Sequence, residues 1–369
     1  MTVTMVMLPG QGSQHPRMAW GLYGSEPRFT AALDEVLAAF DDGDALRGDW
    51  LSDDPRVPLD HVTRSQPLLF ALDYALGRTL MEYGVRPWVM LGHSVGEMAA
   101  AVLAGVFTLR DGARLLQERV RLLAEAPPGG MLAVSAAAAA LDGLLTDEVV
   151  VAAVNAPRQT ILAGPSGPLA RVEERLREDG FITAPVPALT AFHSPSLQAV
   201  ASAAVDGFAT TPVRAPGIPL RSCYTAEPLT AETAADPGYW AAHPVRPVLF
   251  WPALDAILSS RDDVVCVEAG PGQGLSTVAR RHRAMRAGRG EVVPLLPARP
   301  GGPGADRAAF DAALARLARL TGDAPPERPA GAAPPERLPG HAPPERLPGH
   351  ARGDEAYRDL DGQRPAPTA

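Results

Sequence analysis

The chain of 369 residues is long for one simple core, so a large domain with a satellite and a tail is the expected organisation. Its 46% hydrophobic content can bury a sizeable core, and a net charge of -8 leaves no dominant basic face for general nucleic-acid binding. Two distant cysteines, Cys223 and Cys266, have no metal-ligand spacing, and no apolar run approaches the roughly 18 residues that span a bilayer, so a reduced, soluble, cytoplasmic protein is expected.

Residues 3–8 form a short apolar run closed by Pro9-Gly10, which predicts a buried first strand and a turn. The run is too short for a signal segment and has no basic flank. Residues 30–40 carry helical spacing, and the acidic stretch 41–60, broken by Gly43, Gly48, Pro55 and Pro58, reads as a solvated excursion. Residues 66–83 return to helical periodicity, with Leu69, Leu72, Leu76 and Leu80 on one face. A strand at 88–91, a sharp turn, a helix at 97–104 and another at 109–124 follow. The segment 131–187 then reads strand (131–135), helix (136–145), strand (149–154), strand (160–163), helix (169–179), strand (181–186). That β-α-β-β-α-β order is ferredoxin-like. It predicts a small subdomain at 131–187 inserted into an α/β domain made of 1–130 and 188–320, with a late strand at 264–268.

Beyond residue 321 the composition changes. Ala-Pro-Pro-Glu-Arg recurs from Ala324, Ala333 and Ala342, and proline and glycine at that density build no core, so 321–369 is expected to be an extended, disordered tail.

The strongest chemical signal is Gly92-His93-Ser94-Val95-Gly96, a G-x-S-x-G turn between a predicted strand and an alanine-rich helix. The glycines permit a tight turn that lifts the Ser94 side chain above the sheet edge. The helix opening at Val95 leaves free N–H groups aimed where an oxyanion would develop. A serine needs a base. Of the eight histidines, His341 and His350 lie in the tail, His282 sits among arginines and His93 adjoins the nucleophile. His15, His61, His193 and His243 remain, and His193, after an apolar approach and before Ser194-Pro195, stands at a loop position closing the inserted segment.

Several further motifs accompany the turn: Gly10-Gln11-Gly12-Ser13-Gln14, Gln66-Pro67, Val154-Asn155-Ala156-Pro157, Ala191-Phe192-His193-Ser194-Pro195, Tyr239-Trp240 and Glu268-Ala269-Gly270-Pro271-Gly272. Their order and spacing resemble malonyl-CoA:acyl carrier protein transacylases and the acyltransferase domains of polyketide synthases, over about residues 3–300. The resemblance implies an α/β-hydrolase-like large subdomain with an inserted ferredoxin-like small one. It implies Ser94 as acylated nucleophile, His193 as its base steadied by a backbone carbonyl near Leu249, and the N–H groups of Gln11 and Val95 as oxyanion hole. Arg119, 25 residues beyond Ser94, matches the family arginine that binds a substrate carboxylate through its guanidinium fork. Gln66, His93 and Asn155 match further substrate-binding positions. Phe192 in Ala-Phe-His resembles the malonyl-selective form of that motif, where a methyl group is worth about 1–3 kcal/mol of discrimination; Thr190 stands where that form often has histidine.

The implied activity moves a malonyl group from coenzyme A to the phosphopantetheine thiol of an acyl carrier protein, in polyketide or fatty-acid biosynthesis. Acyl-CoA is a substrate, no cofactor or metal is permanently bound, and the carrier arrives in trans at a monomer. Other readings are a serine esterase, a transferase of bulkier acyl or aminoacyl groups between carriers, a proofreading hydrolase that tends to carry glutamine in place of the arginine (Gln117 is two residues away), and an inactive carrier-binding scaffold. Surface arginines such as Arg114 and Arg121 offer the plain alternative for Arg119. A basic run, Arg280, Arg281, Arg283, Arg286 and Arg289, is the candidate docking patch for an acidic carrier.

Overall fold

The computed structural model describes residues 2–322, and the repeats with His341 and His350 lie outside the described residues. Along the chain come β1 (Val3–Leu8), α1 (Pro27–Ala38), α2 (Gly43–Leu51), α3 (Val62–Glu82), β2 (Pro87–Gly92), α4 (Val95–Leu103) and α5 (Leu109–Ala124). Next are β3 (Gly129–Val134), β4 (Val150–Ala156), β5 (Gln159–Pro165), α6 (Ser166–Glu178), β6 (Thr183–Val186) and α7 (Gln198–Ala209). Then follow β7 (Leu220–Arg221), α8 (Ala231–Ala235), α9 (Pro237–Ala241), α10 (Phe250–Ser260), β8 (Val264–Glu268), α11 (Gly274–Arg281), α12 (Arg283–Arg286), β9 (Gly290–Pro294) and α13 (Pro303–Thr321).

β1 is apolar without interruption because both its faces are covered. Val6 and Leu8 point into one core cluster, while Met5 and Met7 point into the other. β8 repeats the pattern with Val265 and Val267 against Val264 and Cys266. The result is a five-stranded parallel sheet, in the order β7-β2-β1-β8-β9, with helices on both sides. The central strands β1, β2 and β8 end at the same edge, so the loops after them gather there. That edge is where open α/β sheets bind ligands.

The second sheet is antiparallel, in the order β4-β5-β3-β6. One face packs Leu132, Val134 and Leu162 against Leu169, Val172 and Leu176 of α6. The other face turns Met131, Ala133 and Ile161 toward the main body, where they line a cleft. The fold is the expected α/β-hydrolase-like body with a ferredoxin-like sheet.

Two local expectations are corrected. The acidic stretch 41–60 is not a solvated excursion. It contains α2, anchored by Leu46 and Trp50 four residues apart in the core, with the Trp50 indole donating to the Met18 carbonyl at 2.9 Å. The acidic residues share that helix with an apolar pair, and the pair decides its burial. The alanine run at 136–145 forms only a single 3-10 turn at Ala138–Ala140. Alanine favours helix but offers little apolar area, and of that run only Ala136 and Leu141 are buried in the core.

Candidate active site

Ser94 occupies the position that would cap α4, yet its side chain makes no cap hydrogen bond. Its backbone is strained at φ 53° and ψ -118°, a region that costs a non-glycine residue about 1–3 kcal/mol. The turn closes so tightly that a Cβ at Gly96 would run into the Leu8 and Pro9 carbonyls. The hydroxyl freed from capping meets His193 instead, with Oγ and Nε2 2.8 Å apart.

The other His193 nitrogen, Nδ1, lies 3.0 Å from the carbonyl oxygens of both His243 and Arg246. Carbonyls only accept, so Nδ1 carries the proton and Nε2 is left to accept from Ser94. The steadying carbonyls therefore come from His243 and Arg246, not from Leu249. The Leu249 carbonyl is engaged elsewhere, accepting from the Ala253 N–H at 3.1 Å in the first turn of α10. Burial, reinforced by the neighbouring His93 and Arg119, lowers the His193 pKa from 6.5 to about 4, which keeps the imidazole neutral.

Behind this pair lies a buried polar cluster. Glu97, on α4, accepts from the Cys223 N–H at 2.7 Å and from the Tyr239 hydroxyl, which also reaches Ser222 Oγ at 2.6 Å. Burial raises the Glu97 pKa, against the hydrogen bonds it accepts, and pushes that of His243 well down. The segment carrying the His243 and Arg246 carbonyls is thus pinned to the helix that carries Ser94.

Two cavities meet at Ser94 and His193. The larger, about 690 Å³, opens between the two sheets and is lined by Gln11, His93, Asn155 and Phe192, among others. His93 turns away from the nucleophile, its Nε2 held 2.9 Å from Asn155 Oδ1. Gln11 follows the Pro9-Gly10 turn after β1, and Gln66 Nε2 reaches its Oε1 at 3.5 Å. Val95 opens α4, so its N–H has no partner within the helix.

The smaller cavity holds only about 20 Å³ and is lined by Gln66, Val95, Arg119, Phe192, Tyr224 and His243 besides the Ser-His pair. Arg119 stands on the buried stripe of α5, among Leu115, Leu116, Val120 and Leu123, where an apolar residue would ordinarily sit. It is 4% exposed, and its Nε and Nη2 have no hydrogen-bond partner. Burial lowers its pKa. Arg114 and Arg121 lie off the stripe on the exposed face, and Gln117 points to Asp41 and Asp42, away from the cavity. The structure thus brings Ser94, His193, Gln11, Val95, Arg119, Phe192, Gln66, His93 and Asn155 to one place. Tyr224 and the His243 and Arg246 carbonyls escape the sequence reading, because none stands in a motif whose spacing points to Ser94; Glu97 closes the Gly92–Glu97 motif, but nothing in the sequence shows that it holds Cys223 and Tyr239.

No group of three or more potential metal ligands occurs among the described residues, and both cysteines are free and buried. Among the described residues no helix is long and apolar enough to cross a membrane.

A strained serine at a strand-helix turn, bonded to a neutral histidine in a cleft of this fold, defines an acyl-transfer enzyme. Residues 6–314 match the acyl transferase domain family, and the chain belongs to that family: it is an acyltransferase. It is 35% identical over 278 residues to a subunit of the phenolphthiocerol/phthiocerol polyketide synthase of Mycobacterium tuberculosis, covering 75% of this chain and 18% of that protein. It is 34% identical to the polyketide synthase GfsB of Streptomyces halstedii, covering 74% of this chain and 5% of that protein. The chain therefore spans less than a fifth of the length of these relatives. Among solved structures, it resembles the acyltransferase domain of the second module of the salinomycin polyketide synthase, with TM-score 0.77, 34% identity and 87% and 74% of the two chains covered. It also resembles the malonyl CoA-acyl carrier protein transacylase of Coxiella burnetii, with TM-score 0.69, 26% identity and 80% and 94% covered.

Proposed function

We propose that this acyltransferase takes a malonyl group from coenzyme A onto Ser94 and passes it to the phosphopantetheine thiol of an acyl carrier protein supplied in trans. The observation that carries the reading is the Arg119 guanidinium. Its two unpartnered atoms, Nε and Nη2, form the side of the fork that presents parallel N–H donors to a carboxylate. A buried, unpaired cation costs several kcal/mol, so its retention beside the nucleophile argues for an anionic ligand that pairs with it. Gln117 faces Asp41 and Asp42, away from Ser94, so it offers a substrate no polar contact there, which speaks for Arg119 as the residue that reads the acyl group. The transacylase named among the similar structures supports the same substrate pair.

In this mechanism Ser94 Oγ attacks the thioester carbonyl while His193 Nε2 takes its proton. The carbonyl oxygen becomes an oxyanion held by the N–H groups of Gln11 and Val95. The C–S bond then breaks, and His193 returns the proton to the departing thiolate. The carrier thiol repeats the sequence in reverse, giving its proton to His193 and releasing Ser94. Phe192 walls both cavities, so it lies where an α-substituent would have to sit. The enzyme works as a cytoplasmic monomer and feeds polyketide or fatty-acid assembly.

Intact-mass measurement after mixing with malonyl-CoA tests this. A malonyl adduct on Ser94 that persists until a carrier protein is added is expected; Ser94→Ala should carry none, and His193→Ala should form it far more slowly. Prompt release of free malonate without a carrier would make the enzyme a hydrolase, and wild-type acylation in His193→Ala would remove the histidine from its role.

A further inference from the structure

Tyr224 lies four residues beyond the start of β7, outside every motif that identifies the site. Its ring is buried and stacks on His243, with centroids 3.8 Å apart and planes 20° from parallel; the His193 ring is 6.0 Å away. It also walls the small cavity together with Arg119, Phe192 and Ser94. We propose that Tyr224 is a specificity-determining residue, whose hydroxyl donates to the acyl carboxylate beside Arg119 and whose ring denies space to a substituent on the α-carbon.

This role rests on the malonyl reading. A carboxylate offers about four lone-pair sites, and the Arg119 fork takes two. A buried carboxylate left with the others unmet loses part of its solvation, so a second donor in the same cavity matters. Tyr224 is placed to be that donor, since its side chain lines the same small cavity as Ser94 and Arg119. Burial holds the phenol in its protonated, donating form. Phe192 occupies one part of the small cavity's wall and Tyr224 another, so both rings border the space beside Ser94. The stack on His243 fixes the ring, because His243 is itself tied down through its carbonyl to His193.

Two variants separate the hydroxyl from the ring. Tyr224→Phe keeps the ring and its stack, so size discrimination should stay. Its KM for malonyl-CoA should rise about tenfold or more with a smaller effect on kcat, and the ratio of malonyl to acetyl transfer should fall by a similar factor, because acetyl-CoA has no carboxylate to lose the donor. Tyr224→Val opens the wall, and in competition assays the ratio of methylmalonyl to malonyl loading should rise at least about tenfold. A Tyr224→Phe enzyme that loses malonyl and acetyl transfer equally, or a Tyr224→Val enzyme with the wild-type loading ratio, overturns the assignment. If the wild type takes no malonyl, the malonyl reading falls and this inference with it. If the wild type loads malonyl and the variants keep its selectivity, this inference falls alone.

Discussion

Lowering the pH of a single-turnover acylation assay removes one specific species, neutral His193. The rate of Ser94 acylation should follow the fraction of that form. An ordinary histidine, titrating at 6.5, would be only about one-tenth neutral at roughly pH 5.5. His193, buried beside His93 and Arg119, titrates at about 4 and would be almost wholly neutral there. The acid limb should therefore reach half of its plateau near pH 4, and activity at about pH 5.5 should exceed by roughly tenfold what an unperturbed base would give. The same displacement affects stability. The unfolded chain binds the proton first, so this contribution is fully present above about 6.5 and is lost as pH falls toward 4; going from 6.5 to about 4 is worth roughly 3 kcal/mol. A pH-jump with rapid quenching, read by intact mass within the lifetime of the folded enzyme, separates catalysis from unfolding. A midpoint near 6.5 in the folded enzyme would refute the claim that burial sets the base.

Arg119→Ala should lose malonyl transfer by about a hundredfold or more in kcat/KM while gaining relative activity with acetyl-CoA, because the carboxylate is then desolvated without a partner. Competition between the two thioesters checks it, and an unchanged malonyl preference would place the carboxylate elsewhere. Arg281 is exposed at the rim of the large cavity, with Arg283 exposed on the next helix. Reversing both charges should raise the apparent KM for the carrier protein, and more so at low salt. Carrier kinetics that do not change in low salt would move the docking surface away from these arginines.

Much of the architecture was legible because it is written in short-range patterns. The buried first strand at 3–8, the helix at 109–124 and the strand-turn-helix around Ser94 depend on residues within a few positions of one another. Even Arg119 carried a local sign: it interrupts an apolar stripe on α5, where Arg114 and Arg121 do not. The sequence also held the order of motifs that names the family. What it did not hold was the identity of the groups that touch His193. Nδ1 meets carbonyls 50 and 53 residues away, and any backbone carbonyl looks alike in sequence. The Leu249 carbonyl, which the resemblance implies for this role, is taken by the Ala253 N–H of the helix it begins. In the same way Tyr224 carries no signal of its own, and Glu97, though it closes the Gly92–Glu97 motif, gives no sign of its partners Cys223 and Tyr239. Their place at the site follows because β2, β7 and the segment after α9 converge, and long-range packing alone decides which side chains share the space beside the nucleophile.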